Sequence, residues 1–219
     1  MIGTAGKRAL NAAHGALIFN RRVRVLAEAL ARLLPPGPAR VLDLGCGDGQ
    51  VAAALMRLRP ELGVEGVDVL VRPVTHIPVT PYDGTTLPFA DASFEHVTIV
   101  DVLHHTDDPA AVLAEAARVA RHSVVVKDHL REGLLAGPTL RLMDWVGNRG
   151  HDVRLPYTYL DAAGWAEAIA RAGLKVAARE RRLGLYPAPL SWWFERKLHF
   201  AMRLVPAEAG PDGVSIPAQ

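Results

Sequence analysis

Apolar positions along this chain recur with two periods, one helical and one extended. Val23, Leu26, Ala27, Leu30 and Leu34 fall on one helical face, which predicts an amphipathic helix closed by Pro35-Pro36-Gly37-Pro38, since proline cannot continue it. The segment 40–44, with Val41, Leu42 and Leu44, reads as a buried strand. Gly45, Gly47 and Gly49 then form a turn, and Val51, Ala54, Leu55 and Leu58 mark a second amphipathic helix starting near Gln50. Strands are predicted at 64–68, 77–81 and 95–100. Asp108 is positioned to cap the next helix, with Pro109 at its first position, where a missing N–H costs nothing. Val112, Leu113, Ala116 and Ala120 form its apolar stripe. The unbroken Val124-Val125-Val126 within 122–127 predicts a fifth strand covered on both faces.

Past Asp128 the periodicity fades. Residues 130–160 carry Gly137-Pro138, Trp145, Gly147, Asn148, Gly150 and Pro156 without a clean repeat, which predicts a long lid or binding insertion. Asp161 should cap a helix reaching Ala172 and ended by Gly173. Strands follow at 174–183 and 198–205, the latter with Phe200, Met202 and Leu204 on one face. Strands alternating with helices predict an α/β fold, a doubly wound sheet joined by right-handed crossovers. The expected organisation is one domain over 1–205, with an N-terminal helical segment at 1–38, the insertion at 130–160 and a flexible tail at 206–219.

Composition narrows this picture. A chain of 219 residues, 50% hydrophobic, suits one α/β domain with a real core. No uncharged apolar run is long enough to span a bilayer and no signal peptide is evident, so a cytoplasmic protein is expected. One cysteine excludes an intrachain disulfide and a cysteine-based zinc cluster. Charge is unevenly spread. Residues 1–40 hold seven Lys/Arg against Glu28, whereas 41–170 hold ten against eighteen Asp/Glu. An acidic centre suits a cationic ligand.

The turn Gly45-Cys46-Gly47-Asp48-Gly49 excludes two common ligand classes. A dinucleotide fingerprint needs a third glycine where Gln50 stands, and no Gly-Lys-Ser/Thr follows for a phosphate loop. Asp48 would repel a pyrophosphate at the helix N-terminus. A ligand without phosphate and with a positive centre fits better, and S-adenosylmethionine has a sulfonium, an ammonium, a ribose diol and an adenine.

Val41 to Gly49 resembles the first motif of the Rossmann-like (class I) S-adenosylmethionine-dependent methyltransferases. The resemblance continues in order through Gly66-Val67-Asp68, Asp83-Gly84 with Leu87-Pro88-Phe89 and Asp91-Ala92-Ser93-Phe94, then Val97 to His105. It ends with Asp107-Asp108-Pro109 and Glu115 to Val119, as in the methyltransferase type 11 subgroup that acts mainly on small molecules. The resemblance implies a mostly parallel seven-stranded sheet with an antiparallel last strand and helices on both faces. It also implies that Asp68 accepts the ribose hydroxyls and Asp83 faces the adenine amine. The cofactor-binding residues expected on this basis are Asp43, Gly45, Cys46, Gly47, Asp68, Val69, Asp83, Gly84, Asp101 and Val102, with S-adenosylhomocysteine as product.

His104 and His105 are the catalytic candidates, since a histidine near neutrality can take a proton from a hydroxyl acceptor. The bland reading makes both structural. Trp145, Tyr157 and His129 are candidates for the acceptor site, with Met143, His151 and Tyr159 as further aromatic or apolar neighbours, against the alternative of core packing. Asp101 and Asp128 could imitate a strand-end metal site, but oxygen ligands are few and no metal is expected. Trp192-Trp193-Phe194 beside Arg196 and Lys197 has an interfacial composition; a core edge or dimer seam is the commoner explanation. The sequence thus points to methyl transfer onto O, N or C of a small molecule. A quinone or lipid acceptor at a membrane and a non-catalytic cofactor-binding partner are the alternatives. No nucleic-acid partner is expected, and the oligomeric state is open between monomer and homodimer.

Overall fold

The computed structural model describes residues 20–148, 156–195 and 197–207. Helix α1 (20–33) leads into β1 (Ala39–Leu44), α2 (Gln50–Leu58), β2 (Leu62–Asp68), β3 (Val79–Pro81) and β4 (Phe94–Val100). A single 3₁₀ turn (Leu103–His105), α3 (Pro109–Val119) and β5 (Ala120–His129) follow, then α4 (Ala136–Asn148), α5 (Ala162–Arg171), β6 (Leu174–Glu180), α6 (Ser191–Phe194) and β7 (His199–Pro206). The strands form one seven-stranded sheet in the order β3-β2-β1-β4-β5-β7-β6. β1 to β5 run parallel, and β7 lies antiparallel between β5 and β6. Between β1 and β4 the strand order reverses, and at such a switch point the strand ends leave a crevice.

Alternation along the strands distributes side chains to two cores. Leu42, Leu44, Val124 and Val126 pack with α3 and α5 through Leu113, Trp165 and Ile169. Val41 and Val125 point to the opposite face, against α1 and α2 through Leu26, Leu30 and Leu55. This explains the continuous valine run, since both faces of β5 are buried. Phe200, Met202 and Leu204 of β7 join the first core, as their spacing predicts.

Local signals acted where expected. Asp108 accepts the Ala110 and Ala111 N–H groups, with Pro109 opening α3, and Asp161 accepts that of Gly164 at the start of α5. Gly173, just past α5, has φ +68°. Three expectations change. The third strand keeps only three residues, at the sheet edge. The insertion contains a 13-residue helix, α4, whose Leu140 packs with Tyr159 and Leu198 in a small satellite core. Trp192 and Trp193 form no core edge, being 73% and 63% exposed on α6. The tail beyond 207, the first 19 residues and His151 lie outside the described residues.

Candidate active site

The site grows from the turn after β1. Gly45 and Cys46 donate N–H bonds to the Val67 carbonyl (2.8 and 3.2 Å), tying the turn to β2. Gly45 has φ +71°, and a Cβ there would lie 2.4 Å from Val102 Cγ2, so only glycine fits. The Gly47 N–H donates to Asp68 Oδ2 and the Leu70 N–H to Asp68 Oδ1, both at 2.8 Å. Two backbone donors thus fix a carboxylate at the end of β2, and each of its oxygens has a further lone pair to offer. At the start of α2, Asp48 accepts from Gln50 N (3.1 Å) and Gln50 Nε2 (2.6 Å). Its carboxylate therefore takes a helix-start N–H that a pyrophosphate there would need.

A cavity of about 710 Å³ opens beyond these strand ends. Gly45, Gly47, Asp68, Val69, Tyr82 and Gly84 line it together with Asp101, Val102, His105, Thr106, Ala111 and Val112. Seven of the ten expected cofactor residues are on this wall. The other three do not line it. Asp83 turns its Oδ1 to the Thr85 and Thr86 N–H groups (2.8 and 2.9 Å), bonds that hold its carboxyl below the usual range. The Cys46 sulfur packs against Gly66, where an added Cβ would meet it at 2.4 Å. Burial and then the charges of Asp43 and Asp68 push its thiol up, so it is no nucleophile. Asp43 is buried and accepts from Thr98 Oγ1 at 2.7 Å.

Burial raises the Asp43 carboxyl to about 7, with Thr98 opposing and the charge of Asp68 adding to the rise. A raised acid gives stability that is full below the unfolded value near 4 and is lost as pH climbs through 7. Asp43→Asn keeps the Thr98 acceptor without the charge. The variant should therefore gain on the order of 2 kcal/mol over the wild type at pH 8, a gain that shrinks toward pH 4. Denaturant melts at the two pH values check this, and an equal difference at both would contradict it.

A largely buried polar network adjoins the cavity through Asp101. Asp101 has φ +56°, an uncommon conformation for a side-chain-bearing residue, and is paired to both Arg22 and Lys127. Burial opposes its charge, but Lys127 and Arg22 hold the carboxyl well below its ordinary value. Lys127 itself is fully buried and lowered by that burial, against the pull of Asp101. His104 Nδ1 lies 2.7 Å from Asp128 Oδ1, and its Nε2 is 3.7 Å from Asp144 Oδ1. Burial would lower His104, yet Asp128, then Asp144 and Asp101, raise it to about 10. These carboxylates favour its protonated form, and it lies off the cavity wall. His105 does reach the wall; burial and the neighbouring His104 charge lower it, leaving it neutral. His129 and His199 are driven down by burial and by Lys127, His199 to about 3.

The expected acceptor residues are not brought to the cavity. His129 is buried between His104 and His199, with ring centroids 4.6 and 4.9 Å away. Tyr157 packs on the satellite core beside Tyr159, and Trp145 is half exposed on α4. The sequence reading missed Arg22, Lys127, Tyr82 and Asp144. Lys127 carried a signal, a charge directly after three buried valines; the other three converge only through the fold.

Comparison with known proteins decides the family. A model of the methyltransferase domain matches residues 19–179. The chain belongs to the methyltransferase domain family. A ubiquinone/menaquinone biosynthesis C-methyltransferase of Desulfotalea psychrophila is 36% identical over 101 residues, covering 42% of this chain and 41% of that protein. The 27-O-demethylrifamycin SV methyltransferase of Amycolatopsis mediterranei is 33% identical over 110 residues, covering 44% and 40%. This chain thus spans less than half the length of these curated relatives. A crystal structure of an S-adenosylmethionine-dependent methyltransferase from Thermotoga maritima superposes with a TM-score of 0.60 at 21% identity, over 91% of this chain and 97% of that one. At that identity the likeness establishes the Rossmann-like fold. No described helix is long and apolar enough to cross a membrane.

Proposed function

We propose that this domain transfers the methyl group of S-adenosylmethionine to oxygen, nitrogen or carbon of a small molecule. The observation that carries the reading is the Asp68 carboxylate, fixed by two backbone N–H groups on a cavity wall where the sheet order reverses. The residues present fit the donor. Asp68 offers remaining lone pairs to a ribose diol, the glycine turn admits a close approach, and the Asp48 carboxylate caps the helix start that a pyrophosphate would need.

When bound, S-adenosylmethionine supplies an already activated methyl group, so the protein needs mainly to align an acceptor and exclude water. Asp68 holds the ribose diol, and Gly45 and Gly47 bring the backbone against the ligand. Asp101, paired with both Arg22 and Lys127, presents a neutralised carboxylate to the cavity wall. Val112, Ala111 and Thr106 shape the acceptor end beside His105. The relatives named above are called a quinone C-methyltransferase and a rifamycin methyltransferase, which supports a small organic acceptor. The described end of the insertion is tied to the 3₁₀ turn beside the cavity, where the Thr158 N–H donates to the His104 carbonyl at 3.1 Å. A cytoplasmic location accords with a small-molecule acceptor.

One observation favours a second acceptor class. The exposed Trp192 and Trp193 have the amphipathic rings that settle at a membrane surface, where a quinone or lipid would be met. Both readings are tested with methyl-labelled S-adenosylmethionine and a panel of phenols, amines and short-chain quinols, with and without anionic vesicles. Acceptor-dependent S-adenosylhomocysteine supports the enzyme, and stimulation by vesicles selects the membrane acceptor. Tight donor binding with no turnover on any acceptor would overturn catalysis in favour of a cofactor-binding partner protein.

A further inference from the structure

His104, His105 and Asp144 bring two imidazoles and a carboxylate together beside the acceptor end of the cavity, an arrangement that methyl transfer leaves unexplained. We propose that these three side chains form a binding site for one divalent transition ion of the zinc class. One ligand atom from each lies within 4.8 Å of the others. Asp144 Oδ1 is 3.7 Å from His104 Nε2 and 3.6 Å from His105 Nε2. Ligands about 2.0–2.1 Å from a tetrahedral zinc stand about 3.3 Å apart. The two pairs that include Asp144 would therefore close by only a few tenths of an ångström, and the two histidine nitrogens, within 4.8 Å of each other, by no more than about 1.5 Å.

The surroundings are those of a ligand set. Asp128 bonds His104 Nδ1, orienting the ring and leaving Nε2 directed at Asp144, as a carboxylate behind a metal-bound histidine does. Tyr159 OH donates to Asp144 Oδ2 at 2.9 Å, fixing the carboxylate's other oxygen. His105 Nε2 is the nitrogen that faces Asp144, and its Nδ1 is buried with no hydrogen-bond partner among the described residues, so no competing bond there fixes the ring. Metal binding displaces the proton that the neighbouring carboxylates favour on His104, and Asp128 and Asp144 together balance the doubly charged ion. A competing triad, Asp101 with His104 and His129, is geometrically close. There, however, Lys127 and Arg22 already pair with Asp101 and would repel a second cation. Borderline nitrogen-rich ligation favours zinc or cobalt over magnesium or calcium, which want oxygen. Three protein ligands leave a fourth position open, as in catalytic rather than closed structural sites. Since His105 also lines the cavity, that position adjoins the acceptor.

Tag-free protein stripped with a chelator is titrated with cobalt(II), then with zinc. The expected result is one equivalent bound, with visible ligand-field bands that zinc abolishes stoichiometrically. Asp144→Asn and His105→Gln should each weaken cobalt binding at least tenfold, and the pair at least a hundredfold. Tyr159→Phe should weaken it a few-fold while keeping all three ligands. Far-UV circular dichroism without metal verifies that each variant folds. If Asp144→Asn does not fold, His105→Gln on the cavity wall gives the same comparison. Wild-type cobalt binding no tighter than that of the folded variants, or without ligand-field bands, overturns the proposal and leaves a polar clasp holding α4. No methyl donor is used, so this outcome is separate from that of the methyl-transfer reading.

Discussion

Asp68→Ala is expected to weaken S-adenosylmethionine binding by two to three orders of magnitude while leaving the protein folded. Its carboxylate sits at the end of β2, takes the Gly47 and Leu70 N–H groups at 2.8 Å and still faces the cavity. Hydrogen bonds to a charged group contribute about 1.5–3 kcal/mol each, so losing two to the ribose diol removes about 3–5 kcal/mol of binding. The Gly47 bond is lost as well, which loosens the turn against which the donor rests. Asp68→Asn should fall between the two, because an amide oxygen accepts one hydroxyl without the charge. Calorimetric titration of the three proteins checks the order; an alanine variant that binds within fivefold of wild type would remove Asp68 from the site.

The second large effect concerns stability. Asp128→Ala should destabilise the protein by about 3–5 kcal/mol, a large share of the 5–15 kcal/mol typical of a domain. Asp128 is fully buried and accepts from His104 Nδ1 (2.7 Å), Leu103 N (3.0 Å) and His129 N (2.6 Å). Its removal leaves a buried imidazole and two buried N–H groups without their acceptor. The same bonds hold the 3₁₀ turn that carries His104 and His105, so the acceptor end should loosen first. Asp128→Asn keeps one acceptor oxygen and should recover part of the loss. Urea unfolding with matched slopes measures the difference, and a midpoint for Asp128→Ala within about 0.5 kcal/mol of wild type would contradict this account.

What could be read from the sequence was the part governed by local rules. The glycine turn, the caps at Asp108 and Asp161 and the buried valines of β5 each depend on a few neighbouring residues. Asp68 was legible because a strand end followed the turn at the right distance. Helix α4 was not legible. Its start is blurred by Gly137-Pro138, and its apolar face serves only a small satellite core around Leu140, Tyr159 and Leu198. The network of Arg22, Asp101, Lys127, His104 and Asp144 joins residues far apart in sequence, and no periodicity encodes such a meeting. Trp145 and Tyr157 looked like acceptor contacts by residue type alone, and residue type does not fix which face of an insertion turns toward a cavity.

The most direct test of the central claim is calorimetric titration of the wild-type protein with S-adenosylmethionine, with NAD as the control. The account predicts saturable micromolar binding of one equivalent and no heat from NAD, whose pyrophosphate Asp48 rejects. NAD binding as tight as that of S-adenosylmethionine, or no binding of the methyl donor, would contradict it.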